Sequence, residues 1–333
     1  MKRWAVVALL CTLAGCGSPS SPSSRSTDAG NTGDKKYRIA VIPKGTSHEF
    51  WKSVHAGAEK AAKEYGNVEI LWNGPQLEND TAAQITVVEN FITNQVDGIC
   101  LAPLDSQALV ESVADATEQG IPVVIFDSGL DDDSNIVSYV ATDNYKGGVL
   151  AGQEMGRLLP EGGNVILLRY NPGSESTEER ERGFLETLAD EFPKITVISS
   201  DEYAGTTPHD SLTKATQVLG KHKDEVNGIF AVCEPNASGV LEALDLLEMK
   251  GNVEFIAFDP NNPLIEGMSN GAVDAIVLQD PVKMGYLAVK TMMEKLNGEM
   301  VEKRIDTGEY LATPENMETP EMQMLLKPEQ FED

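Results

Sequence analysis

Residues 98–127 read GICLAPLDSQALVESVADATEQGIPVVIFD, and their pattern decides the fold. An apolar run at 99–102 ends in Pro-Leu-Asp. A helix is expected over 106–119, and a second apolar run, 121–126, ends in Asp127. Two short β-branched runs joined through a helix make a parallel pair with a right-handed crossover. Runs that are apolar throughout, rather than alternating, belong to strands covered on both faces. Working outward, strands are expected at 37–42, 68–72 and 137–140, with helices at 50–65 and 81–94. Val54, Ala58, Ala61 and Ala62 give the first helix its apolar face. The alternation then restarts. Strands are predicted at 164–168, 195–199, 228–232, 253–258 and 275–278, and helices at 147–159, 178–191, 211–222, 237–249 and 281–296. Two series of similar length predict an α/β chain with two Rossmann-like lobes built on parallel sheets.

Composition agrees with two cores. The chain has 333 residues and is 41% hydrophobic, enough apolar material for two domains. Lys+Arg number 26 against 53 Asp+Glu, a formal net charge of −27. That charge repels phosphates and excludes a general nucleic-acid binder. No apolar run reaches the ~18 residues of a membrane span, which excludes a polytopic membrane protein.

The first residues read as a targeting segment. Lys2 and Arg3 precede the apolar run 4–13, and Leu13-Ala14-Gly15-Cys16 follows. This resembles the lipobox of bacterial lipoproteins, which implies a signal peptide over 1–15 and lipidation of Cys16. Two or three acyl chains anchor stably where one binds only marginally. Residues 16–36, rich in Ser, Pro and Gly, read as a tether. Cys100 and Cys233 remain for the two lobes and are expected as free buried thiols.

Ligands of parallel open sheets bind beyond the carboxyl ends of the strands. The segments there are Pro43-Lys44-Gly45, Pro103-Leu104-Asp105, Asp127-Ser128-Gly129, Arg169-Tyr170-Asn171, Asp201-Glu202-Tyr203, Cys233-Glu234-Pro235 and Asp259-Pro260-Asn261. No GxGxxG follows a strand, and no GxxxxGK[ST] occurs, so a nucleotide site loses its main support. His48, His55, His209 and His222 form no HxxxH or HExxH pair, and no G-x-S-x-G elbow is present. No cofactor and no metal is expected. Asp127 and Asp259 leave one enzymatic reading open, a carboxylate pair across a cleft as in glycosidases.

Several segments together resemble the periplasmic sugar-binding proteins of the ribose-binding type, over about residues 37–327. They are Ile39-Ala40-Val41-Ile42 followed by Phe50-Trp51, Ile121-Pro122-Val123-Val124 with Asp127, and Asp143-Asn144 with Gly147-Gly148. Arg180-Glu181-Arg182-Gly183-Phe184, Ile256-Ala257-Phe258-Asp259, and Gln279 with Gly285 continue the series. The resemblance implies a periplasmic binding protein of type I, its lobes joined by a three-crossover hinge that closes on a ligand. Lobe one would hold 37–141 plus 280–308, and lobe two 142–279 plus 309–333 with the C-terminal tail. Phe50 and Trp51 would stack on a sugar ring, Asp127, Asp259 and Gln279 would bind hydroxyls, and Arg180 would supply a fork of donors. For Phe50 and Trp51 the competing assignment is a helix-face core; for Asp127 and Asp259 it is a turn or helix cap; for Arg180 it is a solvated helix face.

The chain departs from the ribose pattern at Lys44, His48, Ser128 and Cys233, and Gly205 replaces an aromatic with Tyr203 close by. Ribose itself is therefore put in doubt. Lys44 and Asn73-Gly74-Pro75 are similar to receptors of the signal autoinducer-2. The expected function is that of a substrate-binding lipoprotein of an ABC transporter, capturing a sugar or small polyol for a permease. The alternatives are a signal receptor feeding a sensor and, further off, a glycoside-processing enzyme. A monomer that is not an enzyme, held at the cell envelope through its lipid anchor, is expected. A regulator built on the same lobes is set aside, because a lipoprotein signal stands where its helix-turn-helix would be.

Overall fold

The computed structural model describes Met1 and residues 35–331. The expected signal peptide, Cys16 and nearly all of the expected tether lie outside the described residues. Strand β1 (Tyr37–Ile42) shows how the core is built. Ile39 and Val41 enter one apolar cluster, Ala40 and Ile42 the other, and all four are fully buried. A strand covered on both faces must be apolar at every position. Helix α1 (Glu49–Tyr65) leads to β2 (Val68–Trp72), and α2 (Thr81–Thr93) leads to β3 (Gly98–Leu101). Helix α3 (Val110–Glu118) and strands β4 (Val123–Phe126) and β5 (Ser138–Ala141) complete the first series.

The second series runs through α4 (Asn144–Leu158), β6 (Gly163–Leu168), α5 (Glu175–Glu191) and β7 (Ile195–Ser199). It continues through α6 (Pro208–Lys221), β8 (Val226–Ala231), α7 (Glu234–Leu246), β9 (Glu254–Phe258), α8 (Asn262–Asn270) and β10 (Ala275–Leu278). Helix α9 (Pro281–Leu296), β11 (Arg304–Asp306), β12 (Tyr310–Ala312) and α10 (Pro320–Leu326) follow.

The strands form two six-stranded sheets, ordered β11-β5-β4-β3-β1-β2 and β12-β10-β9-β8-β6-β7. The strand order of the first sheet is thus repeated in the second. Every pair is parallel except β10 with β12. The α/β class with two parallel-sheet lobes is therefore as the sequence pattern predicts. The chain passes from the first sheet to the second after β5, returns after β10 and crosses again between β11 and β12. Helix α9 returns Met284, Ala288, Val289 and Met292 to the first lobe's core. The last residues come back as well. The Phe331 N–H donates to the Lys52 carbonyl at 3.0 Å, and its ring lies 3.9 Å from that of His55.

Local differences from the sequence pattern have local causes. Helix α3 starts at Val110 rather than 106, because Asp105 Oδ1 accepts the N–H groups of Gln107 and Ala108 and folds a turn first. Strands β11 and β12, three residues each, are too short to show a period.

Two helix crossings set the positions of the site residues. A Cβ on Gly148 of α4 would stand 2.1 Å from the Arg180 carbonyl oxygen on α5, and one on Gly183 would stand 2.1 Å from that of Tyr145. In the first lobe, Gly57 of α1 and Gly285 of α9 meet Val282 and Val54 in the same way, each at 2.0 Å. The glycines let the helix backbones touch, which fixes Arg180 against α4. Gly183→Ala should force α4 and α5 apart and cost about 1–3 kcal/mol, a drop of several degrees in Tm. Gly220→Ala, with nothing within 4 Å of its added methyl, should leave Tm unchanged or slightly raised. Thermal melts of the two variants check this, and equal Tm values would contradict it.

Candidate functional site

Residues at the carboxyl ends of both sheets line one shared pocket. Asp127 follows β4 and Asp259 follows β9, strands at equivalent places in the two sheets. Each turns its N–H back to the neighbouring strand, Asp127 to Val140 O at 3.0 Å and Asp259 to Val277 O at 2.9 Å. Each has a φ of 65°. Only Gln95 and Glu248 share such a backbone among the described non-glycine residues. Left-handed backbone is strained for most side chains and is tolerated best by Asp and Asn. Neither Asp127 nor Asp259 caps a helix; Asp143, Asn261 and Asp280 cap the helices that follow. The strain aims two buried carboxylates into the cleft.

Around Asp259 the second lobe builds a cationic pocket. The Arg180 guanidinium lies 3.6 Å from Asp259 Oδ2 and donates to Asn144 Oδ1 and the Val232 carbonyl, each at 2.9 Å. It also stacks on the Phe258 ring at 3.7 Å. Arg180 is 3% exposed, so it is no solvated helix face. Gln279 donates from Nε2 to Asp259 Oδ1 at 2.9 Å, and its buried Oε1 has no partner among the described residues. That oxygen is free to accept a hydroxyl.

Lys44, at the end of β1, serves the opposite acid. Its ammonium lies 3.3 Å from Asp127 Oδ2 and donates to Ser174 Oγ at 3.2 Å and Ser176 Oγ at 2.9 Å. The serines stand at the start of α5, so this contact crosses between the lobes. Ser128 supports the crossing, since its Oγ accepts the Ser176 N–H at 3.0 Å.

Glu78 is the residue that the sequence pattern does not single out. Its carboxylate accepts from Trp51 Nε1 at 2.6 Å and Tyr170 OH at 2.5 Å, and His48 Nδ1 lies 2.7 Å away. Burial pushes its carboxyl up, but the bonds from His48, Tyr170 and Trp51 and the nearby His48 charge outweigh this and hold it below the usual range. His48 responds in the opposite sense. Burial works against its charge, and Glu78 more than offsets that, so its pKa is raised. The one signal for Glu78 in the sequence is its place in the loop leaving β2, at the carboxyl edge of the first sheet.

The space has a volume of about 40 Å³. That is a few times the ~10–15 Å³ that holds one water on the same measure, so it leaves no room for a chain of rings. Lys44, His48, Phe50, Trp51, Asp127, Arg180, Cys233, Asp259 and Gln279 line it. Glu78, Tyr170, Ser176, Thr177, Glu234 and Pro235 line it too; the strand-end segments include Tyr170, Glu234 and Pro235, while Glu78, Ser176 and Thr177 are not pointed to by the sequence. Trp51 serves the wall and the core at once, 3% exposed and edge-on to Phe126 at 6.3 Å. Tyr203 is not brought to the cavity wall; its ring lies 4.5 Å from the Arg169 guanidinium, where the two residues form a short bridge. The Cys233 thiol is buried, and burial pushes its pKa well up. The space therefore combines an aromatic wall, buried acceptors and two buried cations. It offers both donors and acceptors to a small polar ring.

A family model described as periplasmic binding protein domain matches residues 39–300. The ribose import binding protein of Bacillus subtilis is 30% identical over 284 residues, 85% of this chain and 90% of its own length. Two solved structures are also similar. A solute-binding protein of an ABC transporter from Agrobacterium vitis, with bound D-fucose, has a TM-score of 0.84 at 34% identity, covering 87% of this chain and all of its own. A carbohydrate transporter solute-binding protein from Agrobacterium radiobacter, in complex with D-arabinose, has a TM-score of 0.83 at 31% identity, covering 88% of this chain and 99% of its own.

Asp259 makes the site sensitive to acid. Burial raises its pKa to about 6, although Arg180 and Gln279 act in the other direction. The folded protein then keeps a proton that the unfolded chain loses near the ordinary value of 3.8. Stability should fall as pH rises between these values and level off above 6. Asp259→Asn removes this titration. Its unfolding free energy should gain on the wild type by up to about 3 kcal/mol between pH 4 and pH 7. Denaturant unfolding at several pH values checks this, and parallel pH profiles would contradict it.

Proposed function

This chain belongs to the periplasmic binding protein family, and from that footing we propose that it captures one small neutral sugar or polyol between its lobes and delivers it to an ABC transporter permease. The observation that carries the reading is the pair of strained aspartates, Asp127 and Asp259, which come from the two sheets to line one pocket. Asp127 and Asp259 accept hydrogen bonds from hydroxyls, Gln279 Oε1 accepts another, and Arg180 donates in return. Trp51 and Phe50 offer apolar surface to the C–H face of the ring. The carboxylates Glu78, Asp127, Glu234 and Asp259 outnumber the cationic side chains Lys44, Arg180 and His48, and each of those three already faces a carboxylate. A phosphorylated or acidic sugar would meet uncompensated like charge, so the ligand is neutral.

The matching family is described as periplasmic, and a place outside the cytoplasm is supported here as well by the apolar leader before Cys16. Acylation at Cys16 would tether a monomer at the membrane surface. Binding without turnover is the role of the aspartates in this reading, since each is already engaged by a cation, Asp127 by Lys44 and Asp259 by Arg180. The signal-receptor alternative rests on Lys44 and Asn73-Gly74-Pro75, and the Lys44 ammonium is taken up by Asp127, Ser174 and Ser176.

A calorimetric and thermal-shift panel of pentoses, hexoses, deoxysugars, polyols and sugar phosphates tests the proposal. One class of neutral sugar should bind with 1:1 stoichiometry and, at a hundred times its Kd, stabilise the fold by about 2.7 kcal/mol. Sugar phosphates should not bind. Asp127→Asn should weaken binding by about 1.5–3 kcal/mol, the scale of a hydrogen bond to a charged group. Unchanged affinity in that variant would remove Asp127 from the site, and hydrolysis of a glycoside panel would overturn the non-enzymatic reading.

A further inference from the structure

The lobes meet at a contact that takes most of the acceptor capacity of the Glu78 side chain. Glu78 stands in the loop between β2 and α2 of the first lobe, and Trp51 and His48 of the same lobe bond its Oε1. Its Oε2 accepts the hydroxyl of Tyr170, which follows β6 of the second lobe. Glu78 is only 7% exposed. Gly45 makes the room for it, because a Cβ there would stand 2.7 Å from Glu78 Cγ. A carboxylate has about four lone-pair sites, and three of them are already taken. We propose that Glu78, though on the cavity wall, is a positioning residue and closing contact: it fixes the Trp51 ring and takes the Tyr170 hydroxyl across the cleft, tying the lobes together through bonds that leave it little capacity for a sugar hydroxyl. This rests on the reading of a sugar held by lobe closure and adds to it a contact that governs release. A bond between the lobes, made only in the closed form, stabilises that form whichever sugar is inside.

The discriminating variants are Tyr170→Phe, which removes one hydroxyl, and Glu78→Gln, which keeps the shape and removes the charge. Each should weaken the sugar found by the panel about tenfold or more, through faster release. The factor should be the same for that sugar and for each of its deoxy analogues that bind. Glu78→Gln combined with Tyr170→Phe should be no weaker than Glu78→Gln alone, because both break one contact. A factor that vanishes for one deoxy analogue would mean that the lost group binds that hydroxyl directly, which overturns the proposal. So would a double variant whose loss is the product of the two single losses. A ligand-free readout stands beside these. The indole N–H resonance of Trp51, assigned with Trp51→Phe, should shift upfield in Glu78→Gln, and an unmoved resonance would also overturn the proposal. If the wild type binds no sugar, the sugar reading fails, while the indole resonance still decides whether Glu78 holds Trp51.

Discussion

A buried charge needs a partner, and five side chains of this cleft bring charge to a place that water hardly reaches. Lys44, Glu78, Asp127, Arg180 and Asp259 are each more than nine-tenths buried. An isolated buried charge costs several kcal/mol, and breaking one partner from a buried pair costs as much again. The cleft meets this demand with pairs and networks: Lys44 with Asp127, Arg180 with Asp259, and Glu78 with three donors. Lys44 and Glu78 draw part of their support from the opposite lobe. The closed geometry is therefore tied to the satisfaction of charge. A sugar that replaces water in such a space must supply donors and acceptors of matching sense, and a neutral ring of hydroxyls does so.

The fold supplies the positions. Parallel strands end at the same edge of each sheet, so residues that follow β1, β4, β6 and β9 converge without being neighbours in sequence. Repeating one strand order in two sheets duplicates the device. Asp127 and Asp259 are its two copies, each with its N–H bonded to the adjacent strand and its φ in the left-handed region. The glycine crossings of α4 with α5 and α1 with α9 hold the helices close enough for Arg180 and Trp51 to reach inward. Two of the motifs that carry the family resemblance, Gly147-Gly148 and the Gly183 of Arg180-Glu181-Arg182-Gly183-Phe184, thus have a steric cause. A Cβ on Gly147 would also stand 3.0 Å from the Phe258 ring on which Arg180 stacks.

Much of this is legible in the amino-acid sequence. Continuous apolar strands such as 121–126, spaced by helices, allow little besides a two-sided parallel sheet, and the rule of strand ends leads to Asp127, Asp259 and Lys44. What is not legible depends on contacts distant in sequence. Glu78 gains its role from Tyr170, 92 positions away, and from a chain reversal that no local pattern announces. Closeness to Gly205 suggests that Tyr203 faces the ligand. Its bridge with Arg169 and the guanidinium over its ring hold it elsewhere, and such a pairing is set by strand register. The return of Phe331 to His55 and Lys52 is likewise a tertiary contact of a tail without periodicity.

The central claim is that a neutral sugar is held by closure of two lobes whose buried charges face one another. Small-angle X-ray scattering of the whole protein, titrated with the sugar that the panel identifies, tests it most directly. The account predicts a radius of gyration that contracts with added sugar and stops changing at one equivalent, with no contraction from a sugar that does not bind. Saturating the site with no change in the radius of gyration would contradict it.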